Sequence, residues 1–320
     1  MKLIFNNIKN THTKHIIAKM SEGKTDLDDN FVVINNFNFE LSFCVKNQQI
    51  TQVLHTPNSK INIKDISGIW FYGYPEGKKY NFDSKISHLE DYCNKEFMNM
   101  ANNMFFGNNI KCINSPTKSF QDQYKLHHLI LANSLGLSIP DCFVTSDIRL
   151  LELNPDTEYA LKPLCNKFFT KDGVNKYFGL TKKLTGQKIY ESFVDKIYYP
   201  MMIQGYVAKK YEIRVTIVGN KIFACKIDSQ ASKNQKTQID WREYDIKNTP
   251  HTKIQLPFEV ESQLLQLSKS LGYELSAVDM IFSAKEEYVF LEINKCPAWI
   301  WIEKLTGLEI TKEILEYLEF

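Results

Sequence analysis

Three oxygen-bearing side chains stand near the end of the chain: Asp279 in Val278-Asp279-Met280-Ile281-Phe282, and Glu292 and Asn294 in Val289-Phe290-Leu291-Glu292-Ile293-Asn294. Side chains alternate across a strand, so Glu292 and Asn294 share one face while Val289, Leu291 and Ile293 take the other. If the two segments pair as a hairpin around Lys285-Glu286-Glu287, a turn of even length sets Asp279 opposite Glu292 or Asn294, and a three-residue turn hides it. Two carboxylates and one amide are hard oxygen donors, a set that suits Mg2+ (or Mn2+) completed by phosphate oxygens. The competing reading is a strand with one solvated acidic edge.

The elements that must position these groups are legible from periodicity. Tyr211 to Val218 alternates, breaks at Gly219-Asn220 and resumes as Lys221 to Asp228, which predicts a hairpin with Glu212, Arg214 and Thr216 on one face. Val260, Leu264, Leu267 and Leu271 predict a helix stopped by Gly272 and leading into the Asp279 hairpin. Upstream, Tyr159 to Leu164 and Pro200 to Val207 read as strands around a polar, Lys-rich segment. A helix carrying Tyr124, Leu126, Leu129, Ile130 and Leu135 ends at Gly136, before a strand over Cys142 to Thr145. In the N-terminal third, residues 31 to 45 read as two short strands in which Phe37, Phe39, Leu41 and Phe43 alternate with polar neighbours. Ile66 to Tyr72 forms another strand before a Gly73-Tyr74-Pro75 turn. Ile86, Leu89, Cys93, Phe97, Met100 and Met104 mark an amphipathic helix over that sheet. The class is α/β (α+β), with a domain boundary near residue 116.

Composition excludes several alternatives. A chain of 320 residues with 43% hydrophobic and 24% charged residues has ample length for a buried core. A net charge of +2 gives no bulk attraction to nucleic acid or membrane, so neither is expected as a partner. Seven scattered cysteines without a CxxC pair fit free thiols in a reducing cytosol. The N-terminus turns polar too soon for a signal peptide, and no apolar run is long enough to span a bilayer, so a cytoplasmic location is expected.

In order, the chain supplies Lys125, Lys162, Gln204-Gly205-Tyr206-Val207, Glu212-Ile213-Arg214, Asp228-Ser229-Gln230, Asp240-Trp241-Arg242, then Asp279, Glu292 and Asn294, followed by Trp299-Ile300-Trp301 and Thr306-Gly307-Leu308. From about Ser115 onward this order resembles the ATP-grasp ligases, and within them the peptide-modifying enzymes of the microviridin or graspetide type. The glutamate ligases related to the one acting on ribosomal protein S6 lie further off. The resemblance implies an ATP-grasp fold with an N-terminal α/β domain (1–116), a central ATP-binding domain (117–203) and a C-terminal domain with the metal site (204–320). It further implies that Lys125 and Lys162 bind nucleotide phosphates, that Gln204, Tyr206 and Val207 form the adenine hinge, and that Glu212 accepts from the ribose hydroxyls. Arg214 and Arg242 would stabilise charge on the transferring phosphoryl group, while Asp279, Glu292 and Asn294 hold Mg2+. ATP would be the co-substrate and a ribosomally made precursor peptide the partner, its carboxylate side chains joined to hydroxyls or amines through an acyl phosphate. A homodimer is compatible with this reading. The alternatives are a ligase adding amino acids to a protein tail or small acid, and a non-catalytic nucleotide-binding protein.

The chain also departs from that pattern. Gly205 replaces an acidic hinge residue, and Leu164 to Phe178, where a glycine-rich cover loop is usual, contains only Gly173. Asn294-Lys295-Cys296-Pro297-Ala298 replaces Asn-Pro-Asn-Gly-Gln, and Ile69-Trp70-Phe71-Tyr72 stands where relatives often carry two arginines. Cys296 is read as a packing residue. His127-His128 is not a metal pair, because adjacent helical residues point about 100° apart. Trp241, Trp299 and Trp301 are read as core or substrate-groove walls.

Overall fold

The computed structural model describes residues 1–5, 10–22, 31–34, 39–72, 89–106, 110–115, 124–164, 168–170, 176–178, 181–193, 200–243 and 245–319. Phe37 and the predicted Gly73-Tyr74-Pro75 turn lie outside these residues. The N-terminal elements are β1 (Lys2–Phe5), α1 (Thr11–Ser21), β2 (Phe31–Ile34), β3 (Glu40–Lys46), β4 (Gln49–His55), β5 (Lys60–Asn62), β6 (Gly68–Phe71), α2 (Glu90–Phe106) and β7 (Lys111–Ile113). Strands β2-β1-β6-β7 form a parallel sheet, and β3-β4-β5 an antiparallel one beside it. A parallel strand covered on both faces carries a continuous apolar run, and Leu3-Ile4-Phe5 and Ile69-Trp70-Phe71 are such runs. Phe5, Ile69 and Phe71 pack with Met104 and Phe105 of α2, whereas Ile4 and Trp70 face the C-terminal elements.

The middle of the chain supplies α3 (Lys125–Ser134), β8 (Cys142–Thr145), β9 (Glu158–Lys162), β10 (Phe168–Thr170), β11 (Lys176–Phe178), β12 (Lys182–Thr185), α4 (Gly186–Ser192) and β13 (Met201–Gly205). Strands β12-β9-β13-β8 make an antiparallel sheet around Tyr159, Leu161, Ile189 and Ile203. The last part supplies β14 (Lys209–Val218), β15 (Lys221–Ile227), α5 (Gln235–Ile239), β16 (His251–Ile254), α6 (Phe258–Leu271), β17 (Leu275–Ser283), β18 (Tyr288–Lys295), α7 (Ile300–Thr306) and α8 (Ile310–Leu318). Its antiparallel sheet has the order β16-β15-β14-β17-β18. Ile213, Val215, Val278, Met280, Phe290 and Ile293 turn one face toward Leu129 of α3 and Leu264 and Leu267 of α6. Helix α6 ends where predicted, with Gly272 at φ +66° donating its N–H to the carbonyls of Ser268 and Lys269.

Helix α3 thus packs into the C-terminal core, and β13 runs across the expected break at 203/204. On this packing we propose that the C-terminal unit begins after Gly205 and includes α3.

The last hairpin departs from strict alternation. On the turn side, Phe282 pairs with Tyr288, Ile281 with Val289 and Met280 with Phe290. Continued regularly, that register would set Asp279 against Leu291 and aim Glu292 into the helix-covered core. A bulge at Leu291 instead pairs Asp279 with Glu292 and Ala277 with Asn294, so all three predicted oxygen donors share the open face. This corrects the expected apolar face. Phe290 and Ile293 take the core, while Leu291 lines the cleft, because the extra residue breaks the period of two.

Candidate functional site

The open face of β14, β17 and β18 meets the ends of β9 and β13 in a solvent-open cleft. Lys125, Lys162, Gln204, Tyr206, Val207, Glu212, Arg242, Asp279 and Glu292 all line it. Arg214 and Asn294 reach the same place through Asp279. Arg214 Nη1 donates to Asp279 Oδ1 at 2.8 Å, and Asn294 Nδ2 lies 3.5 Å from Asp279 Oδ2 and 3.3 Å from Glu292 Oε1.

At the end formed by β9 and β13, Lys162 Nζ donates to Gln204 Oε1 at 2.9 Å. Burial pushes the Lys162 ammonium below its ordinary pKa, and the Glu292 carboxylate works against that shift. Lys125, at the start of α3, donates to Pro163 O at 2.9 Å and stands 3.9 Å from Glu292 Oε2. The amides of Gly205 and Tyr206 are taken up by Asp141 O and Glu158 O. The Val207 amide and the hinge carbonyls are therefore what this strand end can offer a base edge.

Glu212 is held by a residue that sequence reasoning missed. Lys209 Nζ donates to Glu212 Oε1 and, at 2.9 Å, to Ile239 O. Residues three apart on a regular strand face opposite ways, but the register shifts between Lys209 and Tyr211, and this irregularity brings Lys209 to the side of Glu212. No periodic signal in the sequence announces it. Burial raises the Glu212 pKa, with Lys209 opposing. Arg214, on the same strand face as Glu212, pairs instead with Asp279.

Arg242 follows α5 and grips Asp240 with two bonds, Nε to Oδ1 at 2.8 Å and Nη2 to Oδ2 at 2.7 Å. Its Nη1 stands 3.8 Å from Glu292 Oε1. Burial acts against the guanidinium charge, yet the bonds to Asp240 outweigh it and raise the Arg242 pKa. Asp279 is raised by burial and by Glu292, with Arg214 opposing. The site is therefore a set of desolvated charges held in mutual check.

Three buried polar atoms of this site lack hydrogen-bond partners: Gln204 Nε2, Glu212 Oε2 and Arg214 Nε. An unpaired buried polar group typically costs about 1–3 kcal/mol, so such atoms cluster where a ligand completes them. A donor at Gln204 and an acceptor at Glu212 fit a base and ribose hydroxyls. Among the described residues no group of three or more His, Cys, Asp and Glu is placed to hold a metal ion. Asp279 and Glu292 with the Asn294 amide form a smaller set, which fits Mg2+ when phosphate oxygens and water complete the shell and the amide turns its oxygen inward.

The remaining motifs are structural. His128 is buried, its Nε2 3.4 Å from Tyr273 OH, while His127 is exposed. Cys296 adopts φ +53°, and its carbonyl accepts from Tyr72 OH at 2.7 Å.

Residues 174–318 match the family model of the RimK-like ATP-grasp domain. A probable alpha-L-glutamate ligase of Picosynechococcus sp. is 31% identical over 121 residues, covering 37% of this chain and 38% of that protein. The chain thus spans well under half the length of that relative. Two solved structures superpose along nearly the whole chain. One is a RiPP-associated ATP-grasp ligase of Chryseobacterium gregarium in complex with ADP and a leader and core peptide, with a TM-score of 0.79, 24% identity and coverage of 99% of this chain and 96% of that one. The other is the macrocyclase MdnC of Microcystis aeruginosa bound with precursor peptide MdnA, with a TM-score of 0.75, 22% identity and 99% coverage of both chains.

Proposed function

We propose, for a chain that carries a RimK-like ATP-grasp domain over residues 174–318 and has the ATP-grasp fold, that it is an ATP-dependent ligase joining carboxylate side chains of a precursor peptide to hydroxyl or amine side chains. The observation that carries the reading is the convergence of Lys125, Lys162, Arg214 and Arg242 on the Asp279–Glu292–Asn294 face of one cleft.

Lys162 and Lys125 neutralise phosphate charge, Gln204 and Val207 meet the base, and Glu212, aligned by Lys209, accepts from the ribose. Mg2+, when bound, screens the phosphates during in-line transfer. Asp279, Glu292 and Asn294 offer it oxygen donors. A carboxylate then takes the γ-phosphoryl group to give an acyl phosphate and ADP, and Arg242 and Arg214 face the charge that develops. Attack by a hydroxyl or amine expels inorganic phosphate and leaves an ester or amide. The peptide-bound structures of similar fold support a peptide as acceptor and donor. A second reading, addition of glutamate to a protein tail or small acid, is favoured by the name of the sequence relative.

Co-expression with a short Thr-, Lys-, Asp- and Glu-rich peptide, to be sought as a reading frame beside the gene for this chain, followed by mass spectrometry, tests the choice. The peptide reading expects the loss of one water mass per ring. A gain of glutamate residues on a protein or small acid, with no water loss from the peptide, would replace it with the second reading.

A further inference from the structure

Beside Arg242 the cleft wall is aromatic. Trp241 lines the cleft and stacks on Trp301 of α7, with ring centroids 5.0 Å apart and planes at 29°. The His251 ring, at the start of β16, meets Trp301 edge-on at 5.6 Å. Trp241 is thus backed by Trp301, which His251 braces in turn, and in the chain it stands between Asp240 and Arg242, whose side chains form the bidentate pair. Burial lowers the His251 pKa, so the third ring stays neutral and adds no charge behind the wall. A flat apolar surface of this size beside desolvated charges does something the charges cannot: it denies water a hydrogen-bonded place next to the reacting group.

We infer that Trp241, backed by Trp301, is a positioning residue that keeps water away from the acyl phosphate, so that the peptide nucleophile and not water attacks it. This rests on the ligase reading above. The two outcomes share an intermediate and differ in one atom. Attack by a side-chain oxygen or nitrogen on the acyl carbon forms the ester or amide, breaks the carbon–oxygen bond to phosphate and releases inorganic phosphate and a proton. Attack by water releases the same phosphate but regenerates the free carboxylate. ATP consumption is equal in both, so the ratio of phosphate released to bonds formed isolates the contribution of the wall.

The test uses the full chain with a Thr-, Lys-, Asp- and Glu-rich peptide that it is found to modify, measuring phosphate release and, by mass spectrometry, bonds formed. Trp241→Ala and Trp301→Ala are expected to raise the partition of the intermediate, measured as phosphate released in excess of bonds divided by bonds formed, at least about tenfold, equivalent to about 1.4 kcal/mol of lost discrimination. Trp241→Phe, which keeps a ring against Trp301, is expected to restore most of the coupling, and ADP affinity by calorimetry should be unchanged in all three. If phosphate release and bond formation fall together with their ratio constant, the wall is merely structural and the inference is overturned. If the unaltered chain forms no bond at all, the ligase reading fails and takes the inference with it.

Discussion

Lys162 and the two arginines divide the work of the site in ways that substitution can separate. Lys162 is partly buried beside Gln204, and the Glu292 and Asp240 carboxylates favour its protonated form against burial and the neighbouring cations. Its replacement by Ala should weaken binding of ADP with Mg2+ about 10- to 100-fold, the worth of one charge-assisted contact of about 1.5–3 kcal/mol. Unchanged affinity by calorimetry would remove Lys162 from the phosphates. Arg242 is neutralised by Asp240, and its Nη1 approaches Glu292 Oε1 at 3.8 Å. Arg242→Ala should therefore cost about 100- to 1,000-fold in kcat and, because it strips the buried Asp240 carboxylate of its bidentate partner, should also lower stability. Arg214 is likewise the direct partner of a carboxylate, the partly buried Asp279. Its loss leaves a carboxylate unpaired, so Arg214→Ala should also destabilise the fold, by about 3–5 kcal/mol as buried pairs do. A melting temperature for Arg214→Ala equal to that of the unaltered chain would contradict this pairing. The types and order of these residues are legible in the sequence, since each stands in a recognisable local motif. Lys209 is not legible, because only the irregularity in β14 turns it toward Glu212.

At the scale of elements, alternation locates the strands and glycine stops locate their ends. The Gly219 turn, the α6 stop at Gly272 and the Glu212–Arg214–Thr216 face all lie where periodicity puts them. What periodicity cannot carry is a bulge. The turn length alone would have hidden Glu292, and one extra residue at Leu291 reverses that outcome. Helix α3 makes the same point for packing: Leu129 and Ala132 are buried, but Leu126 and Ile130 of the predicted apolar set are exposed. The partner surface, not the residue type, chooses the buried stripe. Close approach of backbones is equally invisible in sequence. Gly186 opens α4, and a Cβ there would lie 2.2 Å from Asn154 O, a backbone atom with nowhere to retreat. Gly186→Ala should destabilise the central sheet by about 1–3 kcal/mol, as overpacking does. A urea midpoint unchanged within error would show that the Asn154–Pro155 segment yields freely.

For the whole molecule, the N-terminal and C-terminal parts are joined by aromatic packing where the resemblance leads one to expect two arginines. Trp70 donates to Thr13 in α1, Tyr72 donates to the carbonyls of Cys296 and Pro297, and His12 lies against Trp299 with centroids 4.2 Å apart. The polar Asn294-Lys295-Cys296-Pro297-Ala298 run thus links β18 to the N-terminal sheet, a role that sequence alone does not reveal because the contacts join residues over two hundred positions apart. The junction carries a pH dependence of defined sign. Burial, reinforced by His15, lowers the His12 pKa from its usual value to about 4. Between about pH 6.5 and 4 the unfolded chain therefore binds a proton at this histidine that the folded protein does not, so stability falls as the pH is lowered through that window. His251, also lowered by burial, acts in the same direction. A full proton corresponds to about 1.4 kcal/mol per pH unit, and because His12 is only half-buried the measured slope should be a fraction of that. His12→Phe keeps a ring against Trp299 and removes the titration. Urea unfolding at pH 7, 5.5 and 4.5 should show the unaltered chain losing stability faster than the variant across this range, and equal slopes would mean that the junction tolerates a protonated His12.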